Sequence, residues 1–162
     1  MIDFTLERKT DFAYVMIGSL YLKSEDDLRS HLDAVSRALK PGGLYFLDWC
    51  LQFFDPEDWD ERVSFEAEKD GIKLRSRFHI EPIPTGRSTY KETWTVDVDD
   101  HGEHHQFETV ERNMALFPQE FRSFLAGRDD FEFVGWWSDW DLGQPIEQYP
   151  QVHRPLIIVR RT

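Results

Sequence analysis

Phe12-Ala13-Tyr14-Val15-Met16-Ile17-Gly18 is a short run with almost no polar side-chain atom. A strand that alternates between core and solvent shows polar residues at every second place, so an unbroken apolar run reads instead as a strand covered on both faces of a parallel sheet. A parallel neighbour needs a crossover, and the next residues supply one. Ser24-Glu25-Asp26-Asp27 offers a capping hydroxyl followed by acids in a first helical turn. Leu28, Leu32, Val35 and Leu39 then recur at helical spacing, so one stripe faces the sheet. Lys40-Pro41-Gly42-Gly43 stops the helix, and Leu44-Tyr45-Phe46-Leu47-Asp48-Trp49 reads as a second strand. Strand, helix and strand in this order form a right-handed crossover unit.

Beyond Trp49 the period changes. Val63, Phe65 and Ala67, then Ile72, Leu74, Phe78 and Ile80, alternate around Asp70-Gly71, a strong two-residue hairpin signal. Tyr90, Glu92, Trp94, Val96 and Val98 alternate up to a second turn. A loop of Asp99-Asp100-His101-Gly102 sets Trp94 opposite Phe107, Val96 opposite His105 and Tyr90 opposite Glu111. Pro118-Gln119-Glu120 opens a short helix with Phe121, Phe124 and Leu125 on one face and Gly127 at its end. Phe131 to Trp137 and Pro155 to Arg160 read as two closing strands.

Chain length bounds the architecture: 162 residues make about one domain. With 40% hydrophobic and 15% aromatic residues, the core needs no disulfide staples. Cys50 is the single cysteine, so no intrachain disulfide or cysteine metal cluster can form, and a reducing, cytoplasmic setting is expected. A formal net charge of -12 repels phosphate backbones and anionic lipid, which argues against nucleic-acid and membrane-surface partners. No apolar stretch approaches the roughly 20 residues of a membrane span.

In order, the pattern resembles the C-terminal half of a class I S-adenosylmethionine-dependent methyltransferase. Asp11 to Leu20 carries the likeness to the fourth strand, and Leu32 to Leu47, with Arg37-Ala38-Leu39-Lys40-Pro41-Gly42-Gly43, the likeness to the helix and fifth strand. Pro118 to Trp137 resembles the last helix and sixth strand, and Leu156 to Arg160 the closing strand. The resemblance implies an α/β fold: a partial Rossmann-like sheet of the last four strands, the final one antiparallel, with an inserted four-stranded antiparallel sheet. Residues 1–50 and 114–162 would form the α/β part and 60–113 the insert, within a single domain. It also implies S-adenosylmethionine as cofactor and methyl transfer to a small molecule. The Gly-rich loop and the ribose-holding acid of that family have no counterpart here, so the chain reads as starting beyond the third strand and is expected to bind the cofactor poorly alone.

Candidate site residues follow from this placement. Ile17, Gly18 and Ser19 end a parallel strand at its carboxyl edge, where the resemblance puts the methionine end of the cofactor, with Tyr21 and Trp49 on the substrate side. Glu92 and Glu111 share a sheet face with Tyr90 and Trp94 in the hairpin register above, and acids on an apolar face are costly unless paired. They suit an amine or other cationic substrate, with the rings adding attraction; the plainer reading pairs them with Arg77 or Arg112 or sets them at a wet rim, and Arg112 is counted with the substrate-side residues. His101, His104 and His105 sit at a hairpin tip, and no metal site is expected. No catalytic base stands out. The rival reading is a non-catalytic ligand-binding or assembly module. With no first strand beside it, Phe12 to Gly18 would be an apolar edge, so a homodimer or a complementing chain is expected across it.

Overall fold

In the computed structural model, which describes residues 2–53, 64–83, 88–149 and 151–162, Ser24 caps the crossover helix as its sequence position dictates. Its Oγ accepts the Asp27 N–H at 3.2 Å, and Glu25, Asp26 and Asp27 lie at the positive end of the helix α1 (Glu25–Ala38). Leu28, Leu32 and Val35 are buried along one stripe. The helix joins two parallel strands, β1 (Thr10–Val15) and β2 (Leu39–Asp48).

Both strand boundaries differ from the reading of the sequence, for a backbone reason. β1 stops at Val15 rather than Gly18, because Ile17 and Gly18 take positive φ values of 55° and 65° that extended chain excludes. Leu39 leaves the helix and opens β2 opposite Thr10, whereas regular pairing resumes only at Phe12 opposite Leu44. Lys40-Pro41-Gly42-Gly43 therefore bulges from the ladder against Asp11 alone. Gly42 holds φ +80°, and a Cβ on Gly43 would sit 2.9 Å from the Lys40 carbonyl oxygen and 3.2 Å from that of Asp11. Only glycine fits there without moving backbone.

By compactness the chain divides into two units, Met1–Phe53 with Ala115–Thr162, and Phe54–Met114. The first holds the crossover, the helix α2 (Pro118–Ala126) and two further strands, numbered β7 (Phe131–Ser138) and β8 (Pro155–Arg161) in chain order. Its sheet runs β1-β2-β8-β7, with β8 antiparallel to both neighbours. β8 is the central apolar strand: Leu156, Ile157 and Val159 are fully buried. Tyr45, Phe121 and Leu32 complete the core. Phe124 is only half-buried and lies under the Arg29 guanidinium, 5.1 Å from its ring centroid. β1 is an edge of the sheet among the described residues, with Phe12 and Tyr14 exposed.

The second unit is an antiparallel meander of β3 (Phe65–Lys69), β4 (Ile72–Pro82), β5 (Thr89–Asp100) and β6 (Glu103–Met114). Asp70 and Gly71, at φ 53° and 81°, make the tight turn that their types favour. Val63 lies outside the described residues. The second hairpin corrects the expected register. His101 and Gly102, at φ 53° and 91°, turn the chain by themselves, so Asp100 pairs with Glu103 and the ladder extends two residues nearer the tip. Trp94 thus faces Thr109, Val96 faces Phe107, Val98 faces His105, and Tyr90 faces Asn113. Because the shift is even, each side chain keeps its face.

Candidate functional site

At the carboxyl ends of β1 and β2 the first unit spends its polar groups on itself. Asp48, fully buried, closes β2; its carboxylate accepts Nε of Arg154 at 2.7 Å, a second Arg154 nitrogen at 2.5 Å, the Ile17 N–H at 3.0 Å and Trp140 Nε1 at 3.2 Å. Burial by itself would raise this carboxyl, but the Arg154 hydrogen bonds, the Ile17 N–H, the Arg154 charge and the Trp140 indole together hold it below the usual range. The Gly18 N–H donates to the Asp48 carbonyl at 3.0 Å, and both the N–H and Oγ of Ser19 donate to the Met16 carbonyl. Ile17, Gly18 and Ser19 are thus placed at the strand end with their N–H groups already engaged. Tyr21 and Trp49 are exposed on the carboxyl side of their strands; Trp49 has φ 59° and donates its N–H to the Pro155 carbonyl. Cys50 is buried, and burial chiefly pushes its thiol up to about 12, so it is no thiolate nucleophile at neutral pH.

The second unit offers an unspent set. Glu92 on β5 stands directly opposite Glu111 on β6, on the face that also carries Tyr90, Trp94 and Phe78. Phe78 and Trp94 stack with centroids 5.5 Å apart and planes 7° from parallel, and Trp94 Nε1 is anchored on Ser76 Oγ at 2.7 Å. Trp94 remains 41% exposed, so this wall is not core. Arg77 and Arg112, the arginines expected to neutralise the acids, are elsewhere. Arg77 pairs with Asp97 at 2.5 Å on the opposite face, and Arg112, beside Lys91 in the ladder, also points away from the acids. Arg112 therefore does not join the set. Burial, and then the charge of Glu111, raise the Glu92 carboxyl above its ordinary value.

Two residues toward the end of β6 lies Asn113, on the same face, 1% exposed, with neither amide atom hydrogen-bonded. The turn region near the other end of this sheet is different. A concavity of about 840 Å³ there is lined by Glu66, Arg75, Asp97 and Gln106 among others, and these four are already engaged: Arg75 holds Glu66, while Arg77 and Gln106 hold Asp97. Among the described residues no group of metal-ligating side chains converges; His104 and His105, as neighbours on one strand, face opposite sides of the sheet.

The raised Glu92 carboxyl has a thermodynamic consequence. A folded state that holds this proton more tightly than the unfolded chain is stabilised by it below the ordinary glutamate pKa of about 4.3, and loses that help as pH rises through the raised value. Glu92→Gln should therefore match the parent near pH 4 and melt higher near pH 7.5. Thermal denaturation at both pH values checks this; a lower melting temperature for the variant at pH 7.5 would contradict it.

Asp48, Arg154 and Asn113 are features that local sequence patterns do not single out. An acid inside the apolar stretch Leu44 to Trp49 was the available signal for Asp48, since such a group is tolerated only when paired. Nothing local announces its partner, which is 106 residues away.

No protein-family model and no curated protein matches the chain, whereas solved structures do. A sugar N-methyltransferase, KedS8, from Streptoalloteichus sp. ATCC 53650 superposes with a TM-score of 0.70 at 20% identity, over 99% of this chain and 59% of its own. CalS10, an amino pentose methyltransferase from Micromonospora echinaspora, gives 0.69 at 17% identity over 98% and 61%. A S-adenosylmethionine-dependent methyltransferase from Clostridium acetobutylicum ATCC 824 gives 0.67 at 17% over the same shares. The chain thus spans about 60% of the length of these structures. At such identities the likeness establishes the fold: a partial methyltransferase α/β sheet with an antiparallel insert, the arrangement of the C-terminal half of a S-adenosylmethionine-dependent methyltransferase.

Proposed function

We propose that this chain is the acceptor-binding part of a S-adenosylmethionine-dependent methyltransferase, and that its acceptor is a small molecule bearing an amine. The observation that carries this reading is the Glu92–Glu111 pair: two carboxylates, Glu92 half-buried and Glu111 exposed, face each other across a ladder, and among the described residues Arg77 and the ladder neighbours Lys91 and Arg112 are turned to the opposite face. A protonated amine placed between them donates charge-assisted hydrogen bonds to the carboxylates on both sides of the ladder and lies beside the Phe78–Trp94 stack, whose faces attract cations. The solved structures support the same chemistry, since two are described as a sugar N-methyltransferase and an amino pentose methyltransferase.

The cofactor fits the described residues poorly. The N–H groups of Ile17, Gly18 and Ser19, which stand at the strand end, are bonded to Asp48 and Met16, and the Asp48 carboxylate is saturated by its own partners. The sequence has no Gly-x-Gly-x-Gly to supply other backbone donors. What this chain contributes is therefore recognition and orientation of the acceptor rather than a grip on the cofactor.

Calorimetric titration tests both halves. Cyclohexylamine should bind while cyclohexanol does not, and S-adenosylmethionine should show no stoichiometric binding. The double variant Glu92→Gln, Glu111→Gln should weaken the amine at least tenfold, the loss of a charge-assisted contact of about 1.5–3 kcal/mol. Unchanged amine affinity in that variant overturns the acceptor site; tight cofactor binding overturns the division of labour.

A further inference from the structure

We propose that a second copy of this chain packs on the apolar face of the second unit, so that two four-stranded sheets lie face to face; the inference does not depend on the amine reading. Phe65, Ser76, Val96 and Phe107 stand in one row across the four strands, on a single face of the sheet. The adjoining rows add Leu74 and Val98 on the side of the turns and the Phe78–Trp94 stack on the other side. No described residue of these three rows is a carboxylate, although 31 of the 162 residues are acidic. The ion pairs Glu66–Arg75 and Arg77–Asp97 lie on the opposite face. A sheet with one apolar face must bury it against another layer. Yet Phe65 and Phe107 are 55% and 61% exposed, and Ile72, one row nearer the turns than Leu74, is 40% exposed.

Three features suit this face to its own copy. Its central polar atoms are already satisfied: Trp94 Nε1 donates to Ser76 Oγ at 2.7 Å and Ser76 is fully buried, so the middle of the patch can lose its water without stranding either group. Its charges stand at the margins, Asp100 and Glu103 beyond one end and Glu92 and Glu111 beyond the other, which is the apolar centre and polar rim of a protein interface. Two acidic chains thus meet through the part of the surface that carries none of their mutual repulsion. The third feature is size. The four rows from Ile72 to Phe78 extend about 27 Å along the strands and about 19 Å across, about 500 Å². Two copies bury about 1,000 Å², the area that a specific interface must clear. With phenylalanine on both outer strands, a two-fold axis along the strands sets Phe65 of each copy against the partner subunit's Phe107, at the usual spacing of about 10 Å between packed sheets.

Analytical ultracentrifugation of the full chain should show a monomer–dimer equilibrium with a midpoint of about 10 μM, as an interface at the small end of the specific range gives. Phe107→Glu should weaken the dimer at least about tenfold, because two-fold symmetry places the new charge in the interface twice. Val110→Glu is the matched control: Val110 lies on the same strand, on the opposite face, and is 52% exposed, so the dimer should be unchanged. Circular dichroism checks that both variants fold. One arm needs no variant: dilution of the parent chain should shift the ring resonances of Phe65 and Phe107 and leave the Val110 methyls in place. A parent chain that stays monomeric at about 200 μM overturns the inference. So does a dimer that persists in Phe107→Glu, or one that Val110→Glu loosens equally. A dimer dissolved by Tyr14→Lys and not by Phe107→Glu overturns it as well, and assigns assembly to the β1 edge.

Discussion

Asp48→Ala is expected to lower the stability of the chain by about 3 kcal/mol at neutral pH. Breaking a buried ion pair by removing one member costs about 3–5 kcal/mol. The lower end applies here because the Arg154 side chain is 36% exposed and can turn its guanidinium to water once released. Most of the loss then comes from what cannot turn: the Ile17 N–H and the Trp140 indole lose their shared acceptor. Asp48→Asn, which keeps the shape and removes the charge, should fall between. The sign with pH follows from the lowered Asp48 carboxyl. Its contribution is present above the ordinary aspartate pKa of about 3.9 and is lost as pH falls through the depressed folded value, so the gap between parent and variant should close in acid. Urea denaturation at pH 7 and in a descending acid series measures this, and a gap that grows toward acid would show that Asp48 is not stabilising as the anion.

A second large effect is expected at the bulge between α1 and β2. Gly43→Ala should cost about 1–3 kcal/mol, as overpacking does when the neighbours are rigid. The new Cβ meets two backbone carbonyls, of Lys40 at 2.9 Å and of Asp11 at 3.2 Å, so relief requires β1 to move away from β2. Gly42→Ala is the matched comparison. That position has nothing within 4 Å and is strained only by its φ of +80°, a penalty of about 1–2 kcal/mol. Denaturant midpoints should rank the parent first and Gly43→Ala last, with Gly43→Ala also disturbing amide shifts in β1. If Gly42→Ala proved the more damaging, the close approach of the two strands would not be what keeps Gly43.

How much of this was legible in advance depended on whether the signal was local. The crossover was readable because an apolar run, a capped amphipathic helix and Pro-Gly-Gly each carry their own physics. The Asp70-Gly71 turn was readable because two positive φ values in succession nearly demand such residues. The second hairpin's turn was read two residues too long: His101-Gly102 makes the same left-handed pair, but histidine is a rarer occupant of that conformation than asparagine or aspartate. The face assignment survived since the error was even, and with it the juxtaposition of Glu92 and Glu111. Asp48 with Arg154 was not readable in the same way. Their meeting is a property of the strand order, which brings β8 beside β2 from the far end of the chain. Asn113 likewise looks like an ordinary strand residue until its burial and its lack of partners are seen together.

The same strand order constrains when the parts of the molecule can form. The meander of the second unit is made of consecutive hairpins, so its pairings close short loops and can assemble as soon as those residues exist. The first unit cannot be completed that way. β2 has β1 on one side and waits for β8 on the other, with Phe46 finally meeting Ile158 and Asp48 meeting Leu156. Until the last strand arrives, one side of β2 lacks its neighbour, the Asp48 carboxylate lacks its arginine, and the central sheet is an unpaired template of the kind that associates with other chains. Synthesis from the N-terminus thus makes β8, whose Leu156, Ile157 and Val159 are fully buried, a keystone that can be set only after the residues of the inserted sheet have been made.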